Sequence, residues 1–400
     1  MQHFIRPGKD IEDTLRFIRD NENGLPAALA LKAANSTSID VNFAINQIQG
    51  RRLAQKKLPL WRSTQGIVFP PHISMEQCSS QFTAAYKAGL VVGDSFADLT
   101  GGFGVDFSFM ARNATSAIYV ERNPELCRIA SHNFPLLGLS NASVHCSDAS
   151  LFAQSMPFTH TVFIDPARRD LNGSRVFAIS DCDPDLSTLI PILLPKSHRI
   201  IAKLSPMLDL SAIASALPHL TQLHIVSTGN ECKEILAVIE PQSHSPLLTV
   251  CVNDSERFSF SAADTQQPTG DWDENPDSAA YLFEPNASVM KAGCFSLIAH
   301  RFTAAPISRH SHLFVADRLI TDFPGRKFRV TATTSMNKKQ LKESLTGISC
   351  ANIACRNFPL KATELAKRLH LRDGGDAYLF ATTLASGKHI IFITKKVTDK

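Results

Sequence analysis

One stretch concentrates residues able to do chemistry: ADLTGGFGVD, at positions 97–106, where an acid ends an apolar run and a Gly-rich turn opens the next element. Asp98, Gly101, Gly102 and Gly104 are the types a backbone needs to approach a nucleotide-like ligand closely. Glycine adds no side chain there and reaches turn conformations closed to other residues. A dinucleotide-binding turn wants a third glycine where Phe107 stands, and Phe107 would crowd a helix passing close to a sheet. The phosphate-cradling pattern GxxxxGKS or GxxxxGKT does not occur, so nucleotide hydrolysis on a P-loop is excluded. Further acids follow. Glu121 stands 17 residues after Gly104, placed to accept hydrogen bonds from two ribose hydroxyls. Asp148, in SDA at 147–149, follows the third apolar run and offers two acceptor oxygens. Asp165 opens DPARR at 165–169, with Pro166 and Arg168 behind it.

Each of these acids also has a plain structural role open to it. Asp98 and Asp148 can cap the helices that follow. Glu121 can pair with Arg122 or Arg128, and Asp106 can balance a helix dipole from the first turn. Arg168 and Arg169 can pair with Asp170 or Asp181.

The elements that must position the acids follow from hydrophobic periodicity. Residues 1–90 read as helical: IEDTLRFIRD, AALALKAA, VNFAINQIQGRRLAQKK and SMEQCSSQFTAAYKAGL carry apolar residues at three- and four-residue steps. From residue 94, short apolar strands alternate with helical stretches: DSFADLT, SAIYVE, ASVHCS, HTVFID and RIIAKLS. That is the βαβ rhythm of a parallel doubly wound sheet, which places ligands at the carboxyl ends of its strands. QLHIVST and EILAVIE are separated only by GNECK, too short for a parallel crossover, so they form an antiparallel hairpin at the end of the sheet. Residues 262–279 are polar and acidic and read as an exposed linker. Beyond them, residues 326–400 spell a small βαβαββ unit with a terminal hairpin about 385–387.

Composition bounds the rest. The 400 residues are 44% hydrophobic and 20% charged, as in an ordinary globular protein with a sizeable core. The N-terminus is charged and carries no apolar signal region. The nine cysteines include no CxxC pair, so they are expected to be reduced thiols of a cytoplasmic protein, with neither a disulfide framework nor a metal site. Charge is divided unevenly. Residues 1–280 carry 22 Lys and Arg against 29 Asp and Glu, a net of −7; residues 281–400 carry 19 against 8, a net of +11. A basic end on an acidic body predicts a polyanionic partner, and RNA is the expected one. Its candidate contacts are Arg326, Lys327, Arg329, Lys338, Lys339, Arg356, Lys367 and Arg368. No membrane partner is expected, and the oligomeric state is left open.

The pattern D-x-x-x-G-x-G, met by Asp98, Gly102 and Gly104, resembles motif I of class I S-adenosylmethionine (SAM) methyltransferases. An acid suits that ligand, a sulfonium with a free amino group. Over nearly its whole length the chain resembles the bacterial class I SAM-dependent methyltransferases that end in a THUMP-like domain. The resemblance rests on SMEQCSSQFTAAYKA (74–88), DLTGGFGVD (98–106), DPARR (165–169), NECKE (230–234), YLFEPNASVMKAG (281–293), FPGRKFRV (323–330), RNFPLKATELAKRL (356–369) and DGGDAYLFATT (373–383). It implies an α/β chain with a Rossmann-like methyltransferase sheet, parallel but for an antiparallel terminal hairpin. The expected order is a helical part at 1–90, a methyltransferase domain at 91–261, a linker and small ferredoxin-like segment at 262–325, and a THUMP-like α+β domain at 326–400. The cofactor it implies is SAM, held by Asp98, Gly101, Gly102, Gly104, Glu121 and Asp148. It further implies that EQCSS serves as a helix-borne lid, with Gln77, Ser79, Ser80 and Thr83 on one helical arc toward the methionine moiety. THUMP domains proper bind RNA on tRNA-modifying enzymes, which agrees with the charge.

The DPARR motif bears on the substrate. Methylases acting on exocyclic amines follow the acid with two prolines and an aromatic; here Ala167 and Arg168 stand instead. The form is nearer the DPPR of RNA uridine-C5 methyltransferases, which need a Cys nucleophile. Cys232 in NECKE is the one candidate, flanked by Lys233 and two glutamates, and a structural Cys is the commoner reading. Asp165 as general base or proton acceptor, with Pro166 beside it in the motif and Arg168 steering an RNA phosphate or the base edge, is the expected machinery. Lys203 and Ser205 end the fifth strand with roles open. An RNA-base methyltransferase acting on tRNA or rRNA is the leading expectation. An RNA-binding protein that keeps the SAM pocket without turnover, and a small-molecule methyltransferase, are the alternatives.

Overall fold

In a computed structural model of the chain, residues 1–33, 36–168, 179, 182–266 and 278–397 are described. They form two compact units, Met1–Gln222 with Ile235–Ser245, and Leu223–Glu234 with Pro246–Lys400.

The first unit opens with six helices: α1 (Ile11–Asp20), α2 (Pro26–Ala33), α3 (Val41–Lys57), α4 (Pro59–Ser63), α5 (His72–Gln77) and α6 (Gln81–Ala88). Asp10 and Asp40 start α1 and α3 by accepting the N–H groups of Asp13 and Phe43, caps worth about 1 kcal/mol each. Phe17, Ile18, Leu29, Ala44 and Ile48 meet in one apolar cluster and hold α1, α2 and α3 together. The single helix expected across 74–88 is in fact two. The chain is extended at Cys78 and Ser80, with ψ 157° and 159°. The Ser80 hydroxyl accepts from the Thr83 N–H and begins a new helix, and such a local cap competes with helix continuation.

The sheet then follows: β1 (Ser95–Asp98), α7 (Val105–Met110), β2 (Ser116–Glu121), α8 (Pro124–Leu136), β3 (Ala142–Cys146), α9 (Ala149–Ser155) and β4 (Thr159–Ile164). Two short strands, β5 (Ala167–Arg168) and β6 (Cys182–Asp183), pair antiparallel. They precede α10 (Leu186–Leu193), β7 (Ser197–Leu204), α11 (Leu210–Ala216), β8 (Leu220–Thr228) and β9 (Glu231–Ile239). The strand order is β3-β2-β1-β4-β7-β9, parallel from β3 to β7, with β9 antiparallel to β7. The second arm of the predicted hairpin is thus the inner one. Phe107, the residue in place of a third glycine, fills the space between α7 and the sheet; it is fully buried among Phe96, Tyr119 and Phe134.

In the second unit, which takes in β8 from Leu223 onward, β10 (Leu248–Asn253) and β11 (Glu256–Ser261) form a hairpin beside that strand. After it come β12 (Tyr281–Pro285), α12 (Ala287–Ala292), α13 (Phe295–Phe302), β13 (Ala305–Pro306), β14 (Phe314–Ala316), β15 (Gly325–Thr334), α14 (Lys338–Ser344), β16 (Asn352–Arg356), α15 (Ala362–Leu369), β17 (Ala377–Thr383) and β18 (His389–Lys396). One sheet, ordered β13-β14-β12-β15-β18-β17-β16, runs through all of its strands from β12 onward. Period two in β18 explains its burial on both faces. Ile390 and Phe392 join Leu282, Phe328 and Phe380, while Ile391 and Ile393 join Leu341 of α14 and Leu365 of α15. Much of the linker, residues 267–277, lies outside the described residues. Among the described residues no helix is long and apolar enough to cross a membrane.

Candidate functional site

Because β3, β2, β1 and β4 are parallel neighbours, the acids at or just past their carboxyl ends stand in a row along one edge: Asp148, Glu121, Asp98 and Asp165. Asp98 is 1% exposed. Its Oδ1 accepts from the Thr100 N–H at 3.0 Å. Burial pushes its carboxyl well above the usual carboxylate range, against the Thr100 hydrogen bond and with the carboxylates of Asp106, Asp165 and Glu121 adding to the effect. Asp98 therefore does not cap α7, whose N-cap position is Gly104. Glu121 turns back to the Gly-rich turn. Its Oε2 accepts from the Gly102 N–H at 2.9 Å and its Oε1 from the Asn123 N–H at 2.8 Å. Asp148 caps α9, its Oδ1 accepting from Ser150 and Leu151. Capping occupies one oxygen of a carboxylate that has two.

The glycines differ in what they do. A Cβ on Gly101 would lie 2.1 Å from the Tyr119 ring, so this position is glycine because of packing. Gly104 takes φ +86° at the start of α7, a conformation open to glycine at no steric penalty. Gly102 carries the N–H that fixes Glu121.

Behind the row lies a connected set of buried charges. Lys87 exposes no surface; its Nζ is 3.1 Å from Asp106 Oδ1 and donates to the Ser79 hydroxyl at 3.0 Å. Ser79 in turn donates to Asp106 Oδ2 at 2.7 Å. Lys203 Nζ lies 3.9 Å from that oxygen and 2.5 Å from Asp165 Oδ2. Burial opposes ionisation of Asp106, but the Lys87 and Lys203 ammoniums and the Ser79 hydroxyl outweigh it and hold Asp106 below the usual range. Thr100 completes the link, its hydroxyl accepting from the Asp165 N–H at 2.6 Å. Asp106 is thus an ion-pair centre. Motif and spacing alone do not single out Lys87. The available hint is a lysine one turn after Thr83, on the face of α6 where Thr83 and Ala84 are buried.

The other candidates are placed as follows. Gln77 is exposed at the end of α5, and Ser80 is the cap of α6, so the expected arc of Gln77, Ser79, Ser80 and Thr83 does not exist: only Ser79 reaches the charged set. Pro166 is half-buried between Asp165 and β5. Arg168 stands on β5, and its side chain and all of Arg169 lie outside what the structure describes. Burial pushes the Cys232 thiol up, and neither the Ser227 hydroxyl nor the Lys291 ammonium offsets this, so its surroundings do not favour a thiolate.

The basic residues of the second unit separate into two groups. Arg326 and Arg356 both close on Glu284, whose side chain is 2% exposed, Arg326 through Nε at 2.8 Å and a second nitrogen, Arg356 at 2.8 Å. Lys327 is 6% exposed and presents little to a polymer, because β15 turns it inward. Arg329, whose guanidinium lies over the Tyr281 ring, and Lys338, Lys339, Lys367 and Arg368 are exposed.

Residues 281–324 match the model of a ferredoxin-like domain and residues 325–396 that of a THUMP domain-like family. A crystal structure from Porphyromonas gingivalis W83, described as a "putative methyltransferase", is 30% identical, with a TM-score of 0.82 over 97% of this chain and 99% of its own. A SAM-dependent methyltransferase from Agrobacterium tumefaciens is 15% identical over 40% of this chain and 61% of its own, with a TM-score of 0.29. An rRNA methylase from Streptococcus thermophilus is 12% identical over 40% and 93%, with a TM-score of 0.30. No curated protein matches the chain.

Proposed function

Because the chain belongs to the bacterial class I SAM-dependent methyltransferases that end in a THUMP-like domain, we propose that it transfers a methyl group from SAM to a base of tRNA or rRNA, held by the basic C-terminal domain. The observation that carries this reading is the row of Asp148, Glu121, Asp98 and Asp165 at the carboxyl edge of four adjacent parallel strands.

The residues present suit SAM. Asp98 is a buried carboxyl among other carboxylates, and a cationic amino group is the ligand that would relieve it. Asp98 would hold that ammonium, Glu121 the ribose and Asp148 the adenine, and the turn of Gly101, Gly102 and Gly104 would let the backbone approach the ligand. When bound, SAM supplies a methyl group already activated on a sulfonium.

On the substrate side, Lys203 grips Oδ2 of Asp165 and leaves Oδ1 to accept a proton from the base. The Thr100 hydroxyl fixes the Asp165 backbone, so Asp98 and Asp165 are positioned through one residue. Lys203 and Thr100 are positioning residues, and Asp165 with Pro166 and Arg168 forms the catalytic edge.

The test uses purified full-length protein, SAM with an isotope-labelled methyl group, and total RNA from a deletion strain, followed by nucleoside mass spectrometry. The expected result is one labelled methylnucleoside, absent from untreated deletion-strain RNA. Protein that binds SAM but labels no RNA nucleoside overturns the reading.

A further inference from the structure

Three sequence motifs take no part in the methyltransferase edge, and the second unit brings them together. NECKE supplies Asn230, YLFEPNASVMKAG supplies Asn286, and FPGRKFRV supplies Gly325, Arg326 and Lys327. All of these line one cavity of about 360 Å³, together with Asn253, Glu256 and Lys396. We propose that this cavity binds a nucleotide, taking its phosphate on the cationic side and the edge of its base on the amides. The proposal deepens the RNA reading above and rests on it for the source of the ligand.

The wall is built rather than accidental. Gly325 sits against backbone: a Cβ there would be 2.2 Å from the Glu284 carbonyl oxygen, and the Asn286 N–H donates to the Pro324 carbonyl. Asn286 is 3% exposed and held on both ends. Its Oδ1 accepts from Ser288 and Val289, and its Nδ2 donates to Glu256 Oε2 at 3.2 Å. Asn230, at φ +60°, accepts the Ala287 N–H on its Oδ1, so what it has to offer a ligand is its NH₂ group.

The polar inventory then defines the ligand. Asn253 Oδ1 is buried and has no hydrogen-bond partner among the described residues, a state that calls for a donor from outside the wall. Arg326, Lys327 and Lys396 line the cavity beside the carboxylate of Glu256; Arg326 is shared with Glu284 and Lys327 is 6% exposed, so Lys396 and the open part of Arg326 form the cationic side. Lys396 is exposed, and Arg326 keeps 36% of its side chain exposed even while paired with Glu284. A ligand that satisfies both sides carries an anionic oxygen group and an N–H donor. A nucleotide has both, and the cavity lies within the ~300–1,000 Å³ range of small-molecule sites.

The experiment is calorimetry on the full chain with the four nucleoside 5′-monophosphates, inorganic phosphate, and single-stranded tetraribonucleotides. It is repeated on Asn253→Ala and Lys396→Glu, each checked for folding by SAM binding and near-UV circular dichroism. We expect at least one nucleotide probe to bind the wild type, and each variant to weaken it tenfold or more while keeping SAM affinity. Binding of free monophosphates identifies a mononucleotide ligand; binding of tetranucleotides alone identifies a nucleotide within an RNA strand. No binding of any probe at millimolar concentration, equal binding to both variants, or phosphate binding as tightly as every nucleotide overturns the proposal. Methylation of RNA by the same wild-type preparation separates that failure from failure of the RNA-methyltransferase reading.

Discussion

The ammonium of Lys87 on α6 lies 3.1 Å from Oδ1 of Asp106 on α7, where Lys87 has no exposed surface. Through this pair the N-terminal helices are joined to the element that follows the Gly-rich turn, and through Lys203 to Asp165. The break at 78–80, which a continuous helix would have erased, puts Ser79 where it bridges both charges.

Removing one partner of a buried pair strands the other. Lys87→Met should therefore destabilise the protein by about 3–5 kcal/mol, and adding Asp106→Asn should recover a large part of that loss. Urea unfolding of the two single variants and the double variant measures both. Losses that simply add would show that Lys87 and Asp106 do not interact.

The same pair sets an acid limb. Asp106 is held below the ordinary carboxylate value, so its contribution is present above the unfolded pKa near ~3.9 and is lost as pH falls through the lower folded value. The urea midpoint of the wild type should fall more steeply below about pH 4 than that of Asp106→Asn. Parallel curves would assign the acid limb to other carboxylates.

Asp98 has the opposite sign. Burial raises its carboxyl, so Asp98 keeps its proton to higher pH than a free carboxyl does, and stability from this group is lost as pH rises. A cationic ligand needs the ionised form, so SAM affinity should strengthen as pH rises through the Asp98 titration, with proton release on binding. Asp98→Ala should weaken SAM binding more than tenfold and abolish that release; one charge-assisted hydrogen bond is worth about 1.5–3 kcal/mol. Calorimetry in buffers of different ionisation enthalpy reads both quantities.

Asp165→Ala should eliminate methyl transfer while leaving SAM affinity within a few-fold, since its partner is the substrate. Lys203→Met should lower the rate while leaving SAM affinity within a few-fold, because it frees the Asp165 carboxylate that Lys203 holds in place. Loss of SAM binding in Asp165→Ala would move Asp165 into the cofactor pocket.

Among the basic residues, exposure divides roles. Charge reversal at Lys338, Lys339, Lys367 and Arg368 together should weaken tRNA binding and flatten its dependence on salt, by about 0.7–0.9 in the log–log slope for each phosphate no longer neutralised. Arg356→Ala should instead lower thermal stability, because it removes one of two guanidiniums from the buried Glu284 carboxylate. Filter binding at several salt concentrations, beside a melting curve, distinguishes the two effects.

Much of this protein is legible in one dimension. Apolar period and breakers locate the strands and helices, and parallel topology then obliges the acids at or just past the ends of β1 to β4 to share an edge. What periodicity cannot report is which side chains meet across that topology. Lys87 and Asp106 stand 19 positions apart, and Asp106 and Lys203 stand 97 apart, and the packing of the intervening elements decides that they meet. The helix break at 78–80 turns on one hydroxyl competing with a backbone bond, a choice too local and too small to alter the hydrophobic pattern. Charge counts failed in the same way at the C-terminal end. They register Arg326, Lys327 and Arg356 as cations available to RNA, whereas the sheet places two on Glu284 and turns the third inward. Net charge adds over a sequence; ion pairing and burial depend on distance, and distance is set only when the chain folds.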